Sequence, residues 1–161
     1  MHDKRIMLMI TIILTLLGIM AVGAIGNTQN STADSGNDVL NDSYGEYMKI
    51  EVNGKVLNVK LENNEATKNL IEKLKNGAIK INAKEYGGFE KVGDLGFSLP
   101  TNDTYIKTSP GDLVLYQGNQ VSLFYNSNSW NYTKLGEVQN VSETELKNIL
   151  GTGDVELVLS L

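Results

Sequence analysis

The sequence predicts a mainly β fold: a closed, mostly antiparallel barrel of short strands carrying two short helices, preceded by an N-terminal apolar helix. Three observations carry this. Apolar and polar residues alternate in several short runs, the period of a strand with one buried face. Two pairs of such runs flank Asn53-Gly54 and Gly118-Asn119, residues that accept the positive φ of tight hairpins. Only two stretches of the remaining chain switch to a helical period, and so many strands with so few helices avoid bare edges by closing.

The elements follow in chain order. "MHDKR" is a short charged start, and Ile6 to Gly26 is then almost wholly apolar. Such a segment reads as a signal peptide or a membrane anchor. A stretch near 20 residues can span a bilayer core of about 30 Å, and it exceeds the usual signal-peptide core of about 7–15 residues. Val22, Ala24 and Gly26 offer small residues for cleavage, so both fates stay open. Lys4 and Arg5 are expected to stay on the cytoplasmic side, which puts everything after Gly26 outside. The expected location is therefore extracytoplasmic, either secreted or tethered through residues 6–26. Residues 27–46 are polar without apolar period and read as a disordered spacer.

The folded domain is expected over 47–161. Met48, Ile50 and Val52, then Leu57, Val59 and Leu61, alternate around the Asn53-Gly54 turn. Residues 64–77 place Ala66, Leu70, Ile71 and Leu74 on one helical face, with Glu65 early, Lys73 and Lys75 late, and Gly77 at the close. Residues 78–83 form another short strand. "YGGFEKVGDLGFSLPTND", Tyr86 to Asp103, is too irregular for a helix and too glycine-rich for one strand. Its glycines Gly87, Gly88, Gly93 and Gly96 are expected to turn barrel corners before they wall any groove. Ser109-Pro110-Gly111 makes a turn, 112–116 and 121–125 pair as strands, and 130–135 returns beside them. Ser142 and Glu145 suggest a capping box with Val141 as a staple, Gly151 ends that helix, and Val155, Leu157 and Leu159 alternate in a last strand.

Composition excludes several functions. The chain has no cysteine, which removes disulfide bracing. Without residues 1–26 there remain 12 basic and 18 acidic residues, a net charge of −6, which is the wrong sign for nucleic acid. The only histidine is His2, so the domain has neither cysteine nor histidine to bind zinc and no histidine base for Ser98 or Ser109. Glu85, Glu90, Asp94 and Asp103 lack the spacing of a calcium loop and read as charges of a solvated loop. No metal and no cofactor are expected.

Nine of the eleven aromatic residues lie between Tyr86 and Tyr132, which is where a site is expected. The candidate groove residues are Tyr86, Phe89, Phe97, Tyr116, Gln117, Gln120, Tyr125 and Trp130, because aromatic faces with polar tips suit an extended peptide or a small ligand. Phe97, Phe124 and Tyr125 sit in alternating runs and favour core packing. Tyr86, Phe89 and Trp130 sit among glycines and asparagines and fit either role.

Taken in order, "YGGFEKVGDLGFSLPTND", "PGDLVLYQGNQVSLFYNSNSWNYTKLGEV" and "LGTGDVELVLSL" resemble the prokaryotic cyclophilin-like domain family, from about Met48 to Leu161. The resemblance implies an eight-stranded barrel with helices at its open ends. True cyclophilins are peptidyl-prolyl isomerases, and the chemistry implied there uses an arginine donor in a groove that includes a histidine and a glutamine. This chain departs from that pattern, since its only arginine is Arg5. A lysine does not reproduce the planar fork of a guanidinium, and loss of one such donor typically costs about a hundred- to a thousand-fold in rate. The leading expectation is a binding module without isomerase activity that holds a peptide segment or small ligand. The alternative is a weak extracytoplasmic isomerase in which Gln117 or Gln120, with backbone donors, replaces the arginine.

Overall fold

The computed structural model describes residues 46–161. The predicted apolar helix at 6–26 and nearly all of the predicted spacer at 27–46 lie outside these residues. Nine strands and two helices follow in the order β1 (Tyr47–Val52), β2 (Lys55–Leu61), α1 (Glu65–Leu74), β3 (Ile79–Tyr86), β4 (Glu90–Asp94), β5 (Thr104–Lys107), β6 (Asp112–Tyr116), β7 (Gln120–Phe124), β8 (Ser129–Val138), α2 (Glu143–Leu150) and β9 (Val155–Ser160). The sheet runs β2-β1-β9-β3-β4-β7-β6-β8, and β2 pairs again with β8. That second pairing closes an eight-stranded, wholly antiparallel barrel and leaves none of the eight strands as an edge. The ninth strand, β5, lies outside the ring on the first half of β8, Tyr105 opposite Asn131 and Ile106 opposite Trp130. Among the described residues no helix is long and apolar enough to cross a membrane.

The alternation read from the sequence is the barrel's inside and outside. Met48, Ile50 and Val52 of β1 and Leu57, Val59 and Leu61 of β2 are all buried. Asn53 and Gly54 between them take φ of 48° and 70°, and the Asn53 side chain donates to the Ile149 carbonyl at 2.8 Å, tying the turn to α2. The second hairpin turns on Gln117 and Gly118, at φ of 51° and 78°, one residue before the expected pair. Both helices direct their apolar residues (Ala66, Leu70, Ile71 and Leu74; Leu146 and Leu150) into the same core as the barrel interior.

The caps differ from expectation in one respect. Asn64 and Thr67 form the reciprocal capping box, on α1. On α2 the Ser142 side chain accepts from the Glu145 amide at 3.2 Å, and Val141 packs against the core.

Two strands were hidden. Glu90–Asp94 lies inside the stretch expected to be irregular, yet it is β4, paired on both sides with β3 and β7. Its faces are both occupied, so Glu-Lys-Val-Gly-Asp shows no apolar alternation. β3 also continues past Ala83 to Tyr86, and Tyr86-Gly87-Gly88-Phe89 is a hairpin turn in which the Phe89 amide donates to the Tyr86 carbonyl at 3.2 Å. β5 escaped notice because only Ile106 gives it an apolar residue on a buried side.

Candidate functional site

Register determines what faces outward beside β4. Val92 lies opposite Ser122, Glu90 opposite Phe124, and Asp94 opposite Gln120. Ser122 is in turn opposite Val114, and Gln120 opposite Tyr116. Directly opposed residues share a face, so the even-numbered residues of β4, β7 and β6 form one outer surface. The odd-numbered ones (Lys91, Leu123, Leu113, and Val121 with Leu115) point into the barrel. That outer surface is not bare. Val114, Phe124 and Tyr132 form a second buried cluster, with Phe89, Ile106 and Tyr116 packed on it.

The rings of this cluster run as a chain. Tyr86 meets Phe89 edge to face at 5.8 Å, Phe89 stacks on Phe124 at 6.0 Å, Phe124 meets Tyr132 at 5.6 Å, and Tyr132 meets Tyr116 at 6.0 Å. Gly87 makes the first contact possible. It takes φ of 63°, and a Cβ there would run into the Phe89 ring. Between these rings lies a groove of about 660 Å³, lined by Tyr86, Gly87, Phe89, Glu90, Val92, Tyr116, Gln120, Ser122, Asn128, Trp130 and Tyr132. Its size falls within the range of small-ligand sites, about 300–1,000 Å³. Trp130 and Tyr86 form its open rim, 54% and 60% exposed. Asn128 is held in place by its amide, which donates to Thr108 Oγ1 at 2.9 Å, and by its side chain, which donates to Tyr132 Oη at 3.1 Å.

Glu90 is the one lining residue with a full charge. It is 7% exposed, and its Oε2 has no hydrogen-bond partner among the described residues. Buried polar atoms are ordinarily paired, and an unpaired buried carboxylate is costly. Burial pushes its carboxyl above the ordinary range, the Glu85 charge adds to that shift, and the Ser122 hydroxyl opposes it. The Tyr132 phenol is pushed up as well, first by burial and then by the Glu90 charge. The solvated loop expected for these acids is therefore wrong for Glu90 and for Glu85. Asp94 instead accepts from the Gly96 amide at 2.6 Å, and Asp103 from Thr133 Oγ1 at 2.6 Å.

Of the eight residues expected at a groove, the structure brings five together: Tyr86, Phe89, Tyr116, Gln120 and Trp130. Phe97 packs instead on the main core, with Lys73 Nζ 5.2 Å from its ring centre. Gln117 sits in the β6–β7 turn and donates to Tyr116 Oη at 3.1 Å. Tyr125 also packs on the main core and hydrogen-bonds Glu85; burial, then Glu85, raise its phenol to about 12. Gly87, Glu90, Val92, Ser122, Asn128 and Tyr132 were missed. For Val92 and Ser122 the signal lay in the pairing of β4 with β7, invisible without β4.

A second depression, between Glu46, β2 and α1, is lined mainly by charged and polar residues. Its lysines are paired: Lys60 with Glu46 at 3.2 Å, Lys68 with Glu65 at 2.8 Å and Lys75 with Glu72 at 2.6 Å. The aromatic groove is thus the better candidate. It offers flat apolar faces, amide and hydroxyl groups, and one acceptor waiting for a donor.

The family model described as the cyclophilin-like family matches residues 50–160, and the chain belongs to that family. No curated protein and no solved structure matches it.

Proposed function

We propose that this member of the cyclophilin-like family is an extracytoplasmic binding module, without isomerase activity, that holds a peptide segment or small ligand in the groove beside β4. The observation that carries this reading is the gathering of Tyr86, Phe89, Tyr116, Trp130 and Tyr132 around one open groove. Aromatic side chains supply large contact area at low entropic cost, and their exposure at a rim has no structural benefit to the barrel. Against isomerase chemistry stands the sequence: no arginine follows Arg5, and the groove has no other cationic lining residue that could donate to a prolyl nitrogen. The second reading, a weak isomerase, draws on Gln120, whose amide lies in the groove. Export rests on Lys4 and Arg5 ahead of the apolar segment 6–26; a protease added to intact cells is expected to digest the domain.

Trp130 is the only tryptophan in the chain, so its fluorescence reads groove occupancy directly. Ligands from a peptide and metabolite screen are expected to shift that emission, and replacing Tyr86, Phe89 and Trp130 together by alanine is expected to abolish binding measured by calorimetry. Hits unaffected by the triple change would move the site elsewhere. Magnetisation exchange between cis and trans forms of an Xaa-Pro peptide, with the full-length chain added, separates the two readings. The spontaneous barrier of about 18–20 kcal/mol makes catalysis easy to see. Unchanged exchange is expected; acceleration lost in Gln120→Ala would establish the isomerase instead.

A further inference from the structure

We propose that the groove selects ligands that carry an alkyl ammonium group, seated with the charge against Glu90 and its methylenes against the surrounding rings. The inference rests on the reading of this groove as the binding site and adds the chemistry of what enters it. Glu90 Oε2 is buried without a partner, in a groove where neither lysine, arginine nor histidine is among the lining residues. The neighbouring cation in sequence cannot supply the missing charge. Lys91 is on the opposite face of β4 and is held by Glu85 Oε2 at 2.7 Å and by the carbonyls of Gly151 and Gly153 at 3.0 and 2.6 Å.

Three ligand classes can be weighed. An anionic ligand would meet an uncompensated like charge in a poorly solvated place, which is disfavoured. A neutral amide would give Oε2 a donor but leave the negative charge buried. An ammonium gives both a donor and a countercharge, and Tyr86, Phe89, Tyr116, Trp130 and Tyr132 present ring faces and edges around it, where a cation is further attracted to the π-faces. The groove of about 660 Å³ has room beyond one side chain, so the ammonium can belong either to a peptide lysine or to a free amine.

The experiment titrates the full-length chain with N-acetyl-lysine N-methylamide, its neutral Nε-acetyl counterpart, the corresponding glutamate derivative, and butylamine, reading Trp130 emission and calorimetric heat. The lysine derivative is expected to bind at least about tenfold more tightly than the neutral one, with the glutamate derivative weakest. Glu90→Gln, which keeps the shape, is expected to abolish that preference. Butylamine binding as tightly as the lysine derivative identifies a free amine as the source, whereas binding of the lysine derivative alone identifies a peptide lysine. A wild-type control needs no variant: acidification that protonates Glu90 is expected to weaken the lysine derivative and spare the neutral one. The other titratable groups around Glu90 are Glu85 and the phenols of Tyr86, Tyr116, Tyr125 and Tyr132. The phenols are neutral in acid, which leaves Glu85 as the one group to check, by Glu85→Gln.

Equal binding of charged and neutral ligands, or a preference that survives Glu90→Gln, would overturn the inference while leaving the groove as a binding site, because Trp130 would still report occupancy. Failure of all four ligands would overturn it too, and the triple aromatic variant would then decide separately whether screen hits use this groove.

Discussion

Glu90 and Lys91 are adjacent on one strand, both buried and both charged, and their surroundings differ in every other respect. Lys91 is fully buried inside the barrel, where all three ammonium donors find oxygen partners and the Tyr125 ring centre lies 5.5 Å away. Its partners join β3 to the chain just after α2, so it works as a tie across the barrel end. Glu90 faces the groove with one oxygen unpaired. A charge that has every partner it can use contributes to the fold, whereas a charge kept buried without one costs stability and is informative about what else must come. The strand alternation that separates them by one residue turns Lys91 into the barrel and Glu90 toward the groove.

The sharpest break of this comparison is Lys91→Ala. It would take from Glu85 its ion pair at 2.7 Å, leaving it only the Tyr125 hydroxyl and the Gly88 amide, and leave the Gly151 and Gly153 carbonyls without that donor. Removing one partner of a buried pair typically costs about 3–5 kcal/mol, and this variant is expected to lose that much in a urea unfolding series. A loss under about 1 kcal/mol would place the interaction with surface pairs, and the contrast with Glu90 would collapse.

A smaller effect is expected at Gly87, on the groove side. Alanine there must adopt φ of 63° and displace the Phe89 ring, at a strain cost of roughly 1–2 kcal/mol. The ring's departure opens the groove wall, so ligand-dependent Trp130 emission is expected to fall far more than stability does. A variant with full ligand response would show that Phe89 is packing and not wall.

How much of this was legible in the sequence depends on which side of the barrel a residue faces. The interior was readable, because Met48, Ile50 and Val52 against Leu57, Val59 and Leu61 alternate cleanly when the other face is solvent. β4 was not, because its inner face carries Lys91 and its outer face Glu90, so burial and polarity are uncoupled on both sides. Tyr86, Phe89 and Trp130 stood out as aromatics among turn residues. Glu90 did not, since a single acid next to a lysine and near glycines has the composition of an exposed turn. Only the pairing of β4 with β7 reveals that it is covered. Phe97 and Tyr125, the groove candidates whose alternating runs favoured core packing, do pack on the main core, from positions beyond the ends of β4 and β7.

The smallest expected effect is also the most diagnostic, because it carries a sign. Glu90→Gln removes a buried charge that has one oxygen unpaired, so near neutral pH the variant is expected to equal or exceed wild type by up to about 1 kcal/mol. Linkage fixes how that difference varies. The Glu90 carboxyl is raised in the folded state, so its favourable contribution is complete below the ordinary carboxylate pKa and is lost as pH rises through the raised value. The advantage of the variant therefore grows over that window and is flat above it. Glu85 has the opposite sign: burial pushes its carboxyl up, but Lys91, Tyr125 and the Gly88 amide outweigh this and hold it low, so its contribution is lost only as pH falls through that lowered value. Glu85 is present in both proteins, and the phenols of Tyr125 and Tyr132 are pushed further from the acid window, so subtracting one urea series from the other, from about pH 4 to about pH 8, leaves Glu90 together with its coupling to the Glu85 charge. A difference that shrinks as pH rises would mean that Glu90 is satisfied in the free protein, and the groove would then have no charge left to offer a ligand.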